Sequence, residues 1–130
     1  MNLPLYIPQN YLQATDKQRA SVCNGCGAKN GAKVPNTIWG ISIKTACNIH
    51  DWMFNIGKTK GDYYFANIMF FWNMTAIVVN ASNVFTLLIR MERVLTYFLG
   101  VMSSKGVKAY WVDKSVKDES NTITIRGEFV

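Results

Sequence analysis

Residues 42–62 read SIKTACNIHDWMFNIGKTKGD, and this stretch decides the fold. Ile43, Ala46, Cys47, Ile49, His50, Met53 and Phe54 recur at helical spacing, Ser42 can cap the helix and Gly57 supplies a stop. A helix over 43–56 is therefore expected. Asp62 follows the tight GKTKG link and can cap a second helix running to about Val79, which makes the two an antiparallel pair.

Working outward, Cys23 to Thr37 (CNGCGAKNGAKVPNT) concentrates Gly, Asn and Pro, a composition that excludes a helix or a central strand. So long a loop calls for a purpose. On the other side, residues Tyr63 to Ile89 carry no charged side chain and are long enough to cross a bilayer. Asn67, Asn73, Asn80 and Asn83 interrupt that run, and the NASN turn at 80–83 starts a new helix, so two buried or membrane-surface helices are the expectation. The third, apolar helix spans Asn83 to Met102. Beyond Gly106 only Thr122 to Phe129 (TITIRGEF) alternates like a strand.

The fold class is accordingly mainly α. A glycine-rich loop precedes the helix pair, a third apolar helix follows, and a short irregular or β tail closes the chain. With 130 residues, one domain over 1–130 is expected, with an N-terminal arm at 1–22 and a tail at 107–130. The start, MNLPLYIPQN, lacks a basic leader and an apolar run, so no signal peptide is expected there.

Fourteen Lys and Arg against eight Asp and Glu leave a net charge of +6. That sign suits anionic headgroups as well as phosphate, but the cations form no block and no basic-aromatic pattern, which disfavours a specific nucleic-acid reader. Apolar residues make up 49% and charged residues 17%, so some apolar surface is expected to meet something other than water.

The chemistry concentrates in CNIHDWMF, where His50, the single histidine, adjoins Asp51. Neighbours on a helix point about 100° apart, so the two can flank one pocket from different directions. Calcium takes carbonyl and carboxylate oxygens, and glycine lets backbone carbonyls turn inward, so the loop and Asp51 together can form a calcium cage. Such an ion would polarise an ester carbonyl while neutral His50 takes a proton from water. A rival reading comes from spacing: Cys23, Cys26, Cys47 and His50 form two pairs suited to tetrahedral zinc.

Gly25-Cys26-Gly27, Pro35, Trp39-Gly40 and Cys47-x-x-His50-Asp51 with Phe54 resemble the secreted phospholipases A2 and their short bacterial and phage-type relatives. The likeness covers about residues 22 to 75. It implies His50 as general base, Asp51 as calcium carboxylate, loop carbonyls around Gly25, Gly27 and Lys29, and a disulfide between Cys26 and Cys47. It further implies lipid hydrolysis at a membrane surface, anionic lipid favoured, with the enzyme acting there or outside the producing cell.

The family also places an aspartate on the second helix to orient the histidine. His50 lies seven residues before Gly57, about 10 Å from the turn, and Asn67 is about 8 Å up the second helix on its apolar side, whereas Asp62 lies at the turn. Asn67 is therefore the expected partner. It stands where the family has Asp, and Phe54 stands where the family has the supporting Tyr. An amide can hold the ring but cannot stabilise imidazolium as an anion would, so slowed or lost turnover is expected. The non-enzymatic alternative is a binding module, zinc-stapled through the four residues above or membrane-associated.

Overall fold

The computed structural model describes residues 2–27 and 34–130. Its first decisive element is α3 (Lys44–Ile56), followed by α4 (Lys60–Ala81) and α5 (Val84–Val101), in the expected order. Before them come β1 (Tyr6–Pro8), α1 (Gln9–Gln13), α2 (Asp16–Val22) and the hairpin strands β2 (Thr37–Ile38) and β3 (Ile41–Ser42). After them come α6 (Ser104–Trp111) and β4 (Gly127–Phe129). The protein is mainly α.

The helix starts differ in detail from expectation. The α3 N-cap is Ile43, with no side-chain cap. Thr59, not Asp62, caps α4: its hydroxyl accepts from the Asp62 amide, and Asp62 reaches back to the Thr59 amide, closing a capping box. The break at the NASN turn is real, because Asn83 caps α5 in the same reciprocal manner with Thr86.

Two apolar clusters hold the helices. Ile38, Ile43, Ala46, Cys47, Phe70, Met74, Val78 and Val94 form one, joining the hairpin, α3, α4 and α5. Tyr6, Ile49, Met53, Ala66 and Ile125 form the other, which brings both chain ends onto α3 and α4. Helix α4 is long and apolar enough to cross a membrane by length and composition. Here it packs against α3 on one flank, α5 on another and β1 on a third.

The arm and the tail are more ordered than a sequence reading suggests. Asn73 donates from Nδ2 to the Tyr6 carbonyl at 3.0 Å and accepts from the Tyr6 amide at 2.7 Å. Asn80, two turns on, grips Leu3 in the same two-bond manner at 3.0 and 2.8 Å. These asparagines present to the arm the donor and acceptor that a neighbouring strand would offer. Strand β1 pairs on its other side with β4, in the antiparallel register Tyr6 with Phe129 and Pro8 with Gly127. Only residues 127–129 of the expected 122–129 strand are in that ladder.

Residues 107–111, expected as the start of the tail, belong to the helix α6. Its Gly106 packs so closely on the Val101 backbone that a Cβ has no room there, and Tyr110 is buried with its hydroxyl donating to the Thr59 carbonyl at 2.6 Å. The tail then passes over the start of α4. The Lys60 and Gly61 amides, which no helical partner can satisfy, donate to the carbonyls of Asp118 and Ser120 at 2.8 and 3.0 Å. Asp62, fully buried, accepts from the amides of Lys58 (2.9 Å), Thr124 (2.7 Å) and Ile125 (3.3 Å) and from the Thr124 hydroxyl. Burial alone raises its pKa, but those hydrogen bonds outweigh it and hold the carboxyl below its ordinary value.

Candidate active site

Helix α3 turns His50 inward and Asp51 toward the preceding loop, because adjacent helical positions differ by about 100°. Nε2 of His50 lies 2.8 Å from Oδ1 of Asn67, in a buried contact between α3 and α4. The partner chosen on helix height is thus the one the ring meets. The other end of the Asn67 amide donates to the Val101 carbonyl at 3.3 Å and to Met102 Sδ at 3.2 Å. Those acceptors fix the amide so that oxygen faces the ring, and the ring therefore donates from Nε2–H. Its Nδ1 is left as the basic nitrogen.

The surroundings make that base a weak one. His50 is 7% exposed, and the rings of Phe54 and Phe70 lie 4.2 and 4.5 Å from it, centroid to centroid. Burial pushes its pKa down to about 4, only partly offset by the bond to Asn67. The imidazole is neutral at pH 7. Phe54 offers no hydroxyl to this network, but Tyr63, four residues before Asn67 and so on the same face, donates to the Val101 carbonyl at 2.9 Å.

Asp51 is half-buried against the loop, and its Oδ2 accepts from the Asn24 amide at 3.0 Å. Asn48 Oδ1, one turn earlier on the same face of α3, accepts from the Gly25 amide at 2.9 Å, and Asn36 Oδ1 accepts from the Cys26 amide at 2.9 Å. Gly25 and Gly27 have φ of +78° and +101°, backbone that L side chains rarely adopt. The loop is thus pinned to α3 by two amide contacts, through Asn24 and Gly25, and braced on itself by the Cys26 to Asn36 bond, with its glycines turned. Lys29 lies outside the described residues.

Cys26 and Cys47 form a disulfide, with Cα atoms 5.0 Å apart. That bond removes two of the four thiolate and imidazole ligands on which the zinc reading rests. Cys23 is free, but its thiol donates to the Asn48 carbonyl at 3.2 Å, and burial together with Asp51 pushes its pKa up to about 11 against the opposing pull of Arg19. His50 points away to Asn67. The four residues do not converge as a zinc site, and no cluster of three or more His, Cys, Asp or Glu side chains occurs among the described residues.

Sequence reasoning missed Asn48, Asn36, Tyr63, Val101 and Met102. The i, i+3 relation of Asn48 to Asp51 was a usable signal, since both must face the same side. The carbonyl of Val101 had none, because a backbone acceptor has no residue-type signature.

Fold and site together define a mainly α protein in which a disulfide-anchored glycine loop and a buried His–Asn pair share one helix. Set against protein-family models, curated proteins and solved structures, the chain matches none of them.

Proposed function

We propose that the chain is a phospholipase A2-like carboxylic ester hydrolase that cleaves glycerophospholipid esters in the presence of calcium at a membrane surface. The observation that carries this reading is the His50 Nε2 to Asn67 Oδ1 hydrogen bond. It leaves Nδ1 of a neutral imidazole as the proton acceptor on the same helix as a loop-facing carboxylate.

The residues present suit calcium. Asp51 supplies a carboxylate beside a loop whose Gly25 and Gly27 adopt turned backbone, and carbonyls around Gly25, Gly27 and Lys29 would complete an all-oxygen set. When bound, the ion supplies polarisation of the ester carbonyl and a counter-charge for its oxyanion. The protein's own part is to hold His50 in one tautomer, through Asn67 and the Val101 carbonyl, so that Nδ1 takes a proton from water. The group that faces the resulting imidazolium is the uncharged Asn67 amide, and the ring is encased by Phe54 and Phe70, so turnover is slow.

Fatty-acid release from mixed phospholipid vesicles, with calcium and with chelator, tests the reading. Calcium-dependent release by the wild type that disappears in His50→Ala supports it. Release that is equal in both proteins, or absent with no calcium binding by titration calorimetry, overturns it. Calcium binding without release favours a second reading, a catalytically inactive binding module on the same framework, for which Asn67 and Phe54 in place of an acid and a phenol are the specific argument.

A further inference from the structure

Four exposed large apolar side chains gather where the β2–β3 hairpin meets the α4–α5 turn. Val84, Phe85 and Leu88, in the first turns of α5, are 75%, 82% and 71% exposed, and Trp39, at the tip of the β2–β3 hairpin, is 59% exposed. Arg90 brings these two places together. Its guanidinium donates to the Trp39 carbonyl (2.9 Å), to Ser82 Oγ (2.7 Å) and to the Ala81 carbonyl (3.3 Å), tying the hairpin tip to the α4–α5 turn.

Trp39 is also displayed at a conformational cost. It has φ of +45° and is the sole non-glycine among the described residues with positive φ, while Gly40 beside it has +81°. Two-residue hairpin turns of this kind favour Asn-Gly, and a bulky residue in the left-handed region is disfavoured. A sequence optimised for the turn alone would not place an indole there, pointing into water.

We propose that this tip, Trp39, Val84, Phe85 and Leu88, is the surface through which the chain docks on an anionic lipid bilayer. The inference rests on the lipid-hydrolase reading, which calls for a membrane-facing surface. Charge selects the occupant. Residues 34–50 and 63–91 contain no carboxylate, and their only charged side chains are Lys44 and Arg90. Glu92, one turn beyond Leu88, is the first acid along α5. An apolar cap of Trp and Phe with the Arg90 guanidinium behind it suits the headgroup boundary of an anionic membrane. Two copies meeting tip to tip would instead bring Arg90 toward its own counterpart with no acid of these segments to pair it.

Flotation with vesicles of ether-linked phosphatidylcholine and phosphatidylglycerol in equal parts, which cannot be hydrolysed, reads docking without turnover. The wild-type chain is expected to float with these vesicles and far less with phosphatidylcholine alone. The triple variant Trp39→Asn, Phe85→Ser, Leu88→Ser is expected to lose affinity by about tenfold or more. It should keep its melting temperature, because Asn accepts the left-handed turn and the other two side chains are exposed. Brominated lipid should quench indole fluorescence in the wild type more than in Trp39→Asn.

Equal flotation of variant and wild type overturns the proposal, as does a wild type that fails to float. A wild-type dimer in sedimentation that the triple variant dissociates, without flotation, overturns it in favour of a second copy. Hydrolysis of a short-chain phosphatidylcholine kept monomeric separates the two claims. Hydrolysis without flotation removes the docking surface alone, and flotation without hydrolysis removes the enzymatic reading alone.

Discussion

Asn67 joins His50 to the end of α5: its oxygen accepts from the ring at 2.8 Å and its nitrogen donates to the Val101 carbonyl at 3.3 Å. One side chain therefore sets both the tautomer of the histidine and the seat of the third helix. Replacing it with Asp divides these roles. Asn67→Asp should raise the rate of fatty-acid release, because the carboxylate can stabilise imidazolium. It should also lower stability by about 1–3 kcal/mol, because a donor to Val101 is lost. Initial rates and urea denaturation of the two proteins check both halves, and an unchanged or lower rate counts against the orienting role.

His50 titrates in the folded protein near 4, below its ordinary 6.5. The unfolded chain therefore binds a proton that the folded chain refuses. The contribution to stability is fully present above about 6.5 and is lost as pH falls toward 4, approaching about 3 kcal/mol at the acid limit. Denaturant midpoints should fall between about pH 7 and pH 5 in the wild type and change much less in His50→Gln, whose side-chain amide can still donate to Asn67. A wild-type midpoint that is flat over this range would falsify the buried neutral assignment.

Asp62 collects the tail onto α4 with no cation beside it among its hydrogen-bond partners. Asp62→Asn turns one acceptor into a donor that faces other donors, so a loss of about 2–4 kcal/mol is expected. Faster amide exchange at Thr124 and Ile125 should accompany it. In the wild type this contribution lies above the ordinary carboxylate range and disappears only as pH falls through the depressed pKa of Asp62. It is thus separable from the histidine effect at milder acidity.

Asn73 and Asn80 make the same pair of bonds to the arm, but Asn73 is buried and Asn80 exposed. Asn73→Ala leaves the Tyr6 amide and carbonyl without partners in the core and should cost about 2–4 kcal/mol, while Asn80→Ala should cost about 1 kcal/mol or less, since water replaces it. Thermal unfolding of the two variants decides, and equal losses would show that burial is not the controlling difference.

Helix α3, the helix pair, the turn at Asn83 and the juxtaposition of His50 with Asp51 were legible in the chain because each follows from spacing within a few residues. The height of Asn67 was legible too, since a tight link forces two helices to keep step. The role of the other asparagines was not. In an apolar run Asn73 and Asn80 read as interruptions, and only the arm, some 67 and 77 positions away in sequence, makes them a substitute strand. The same holds for α6, which depends on the closeness allowed by Gly106, and for Asp62, which reads locally as a cap and is in fact the anchor of the tail. Local periodicity and capping are properties of the sequence itself, whereas the use of a polar side chain depends on which distant backbone comes to lie against it, and that is decided by packing.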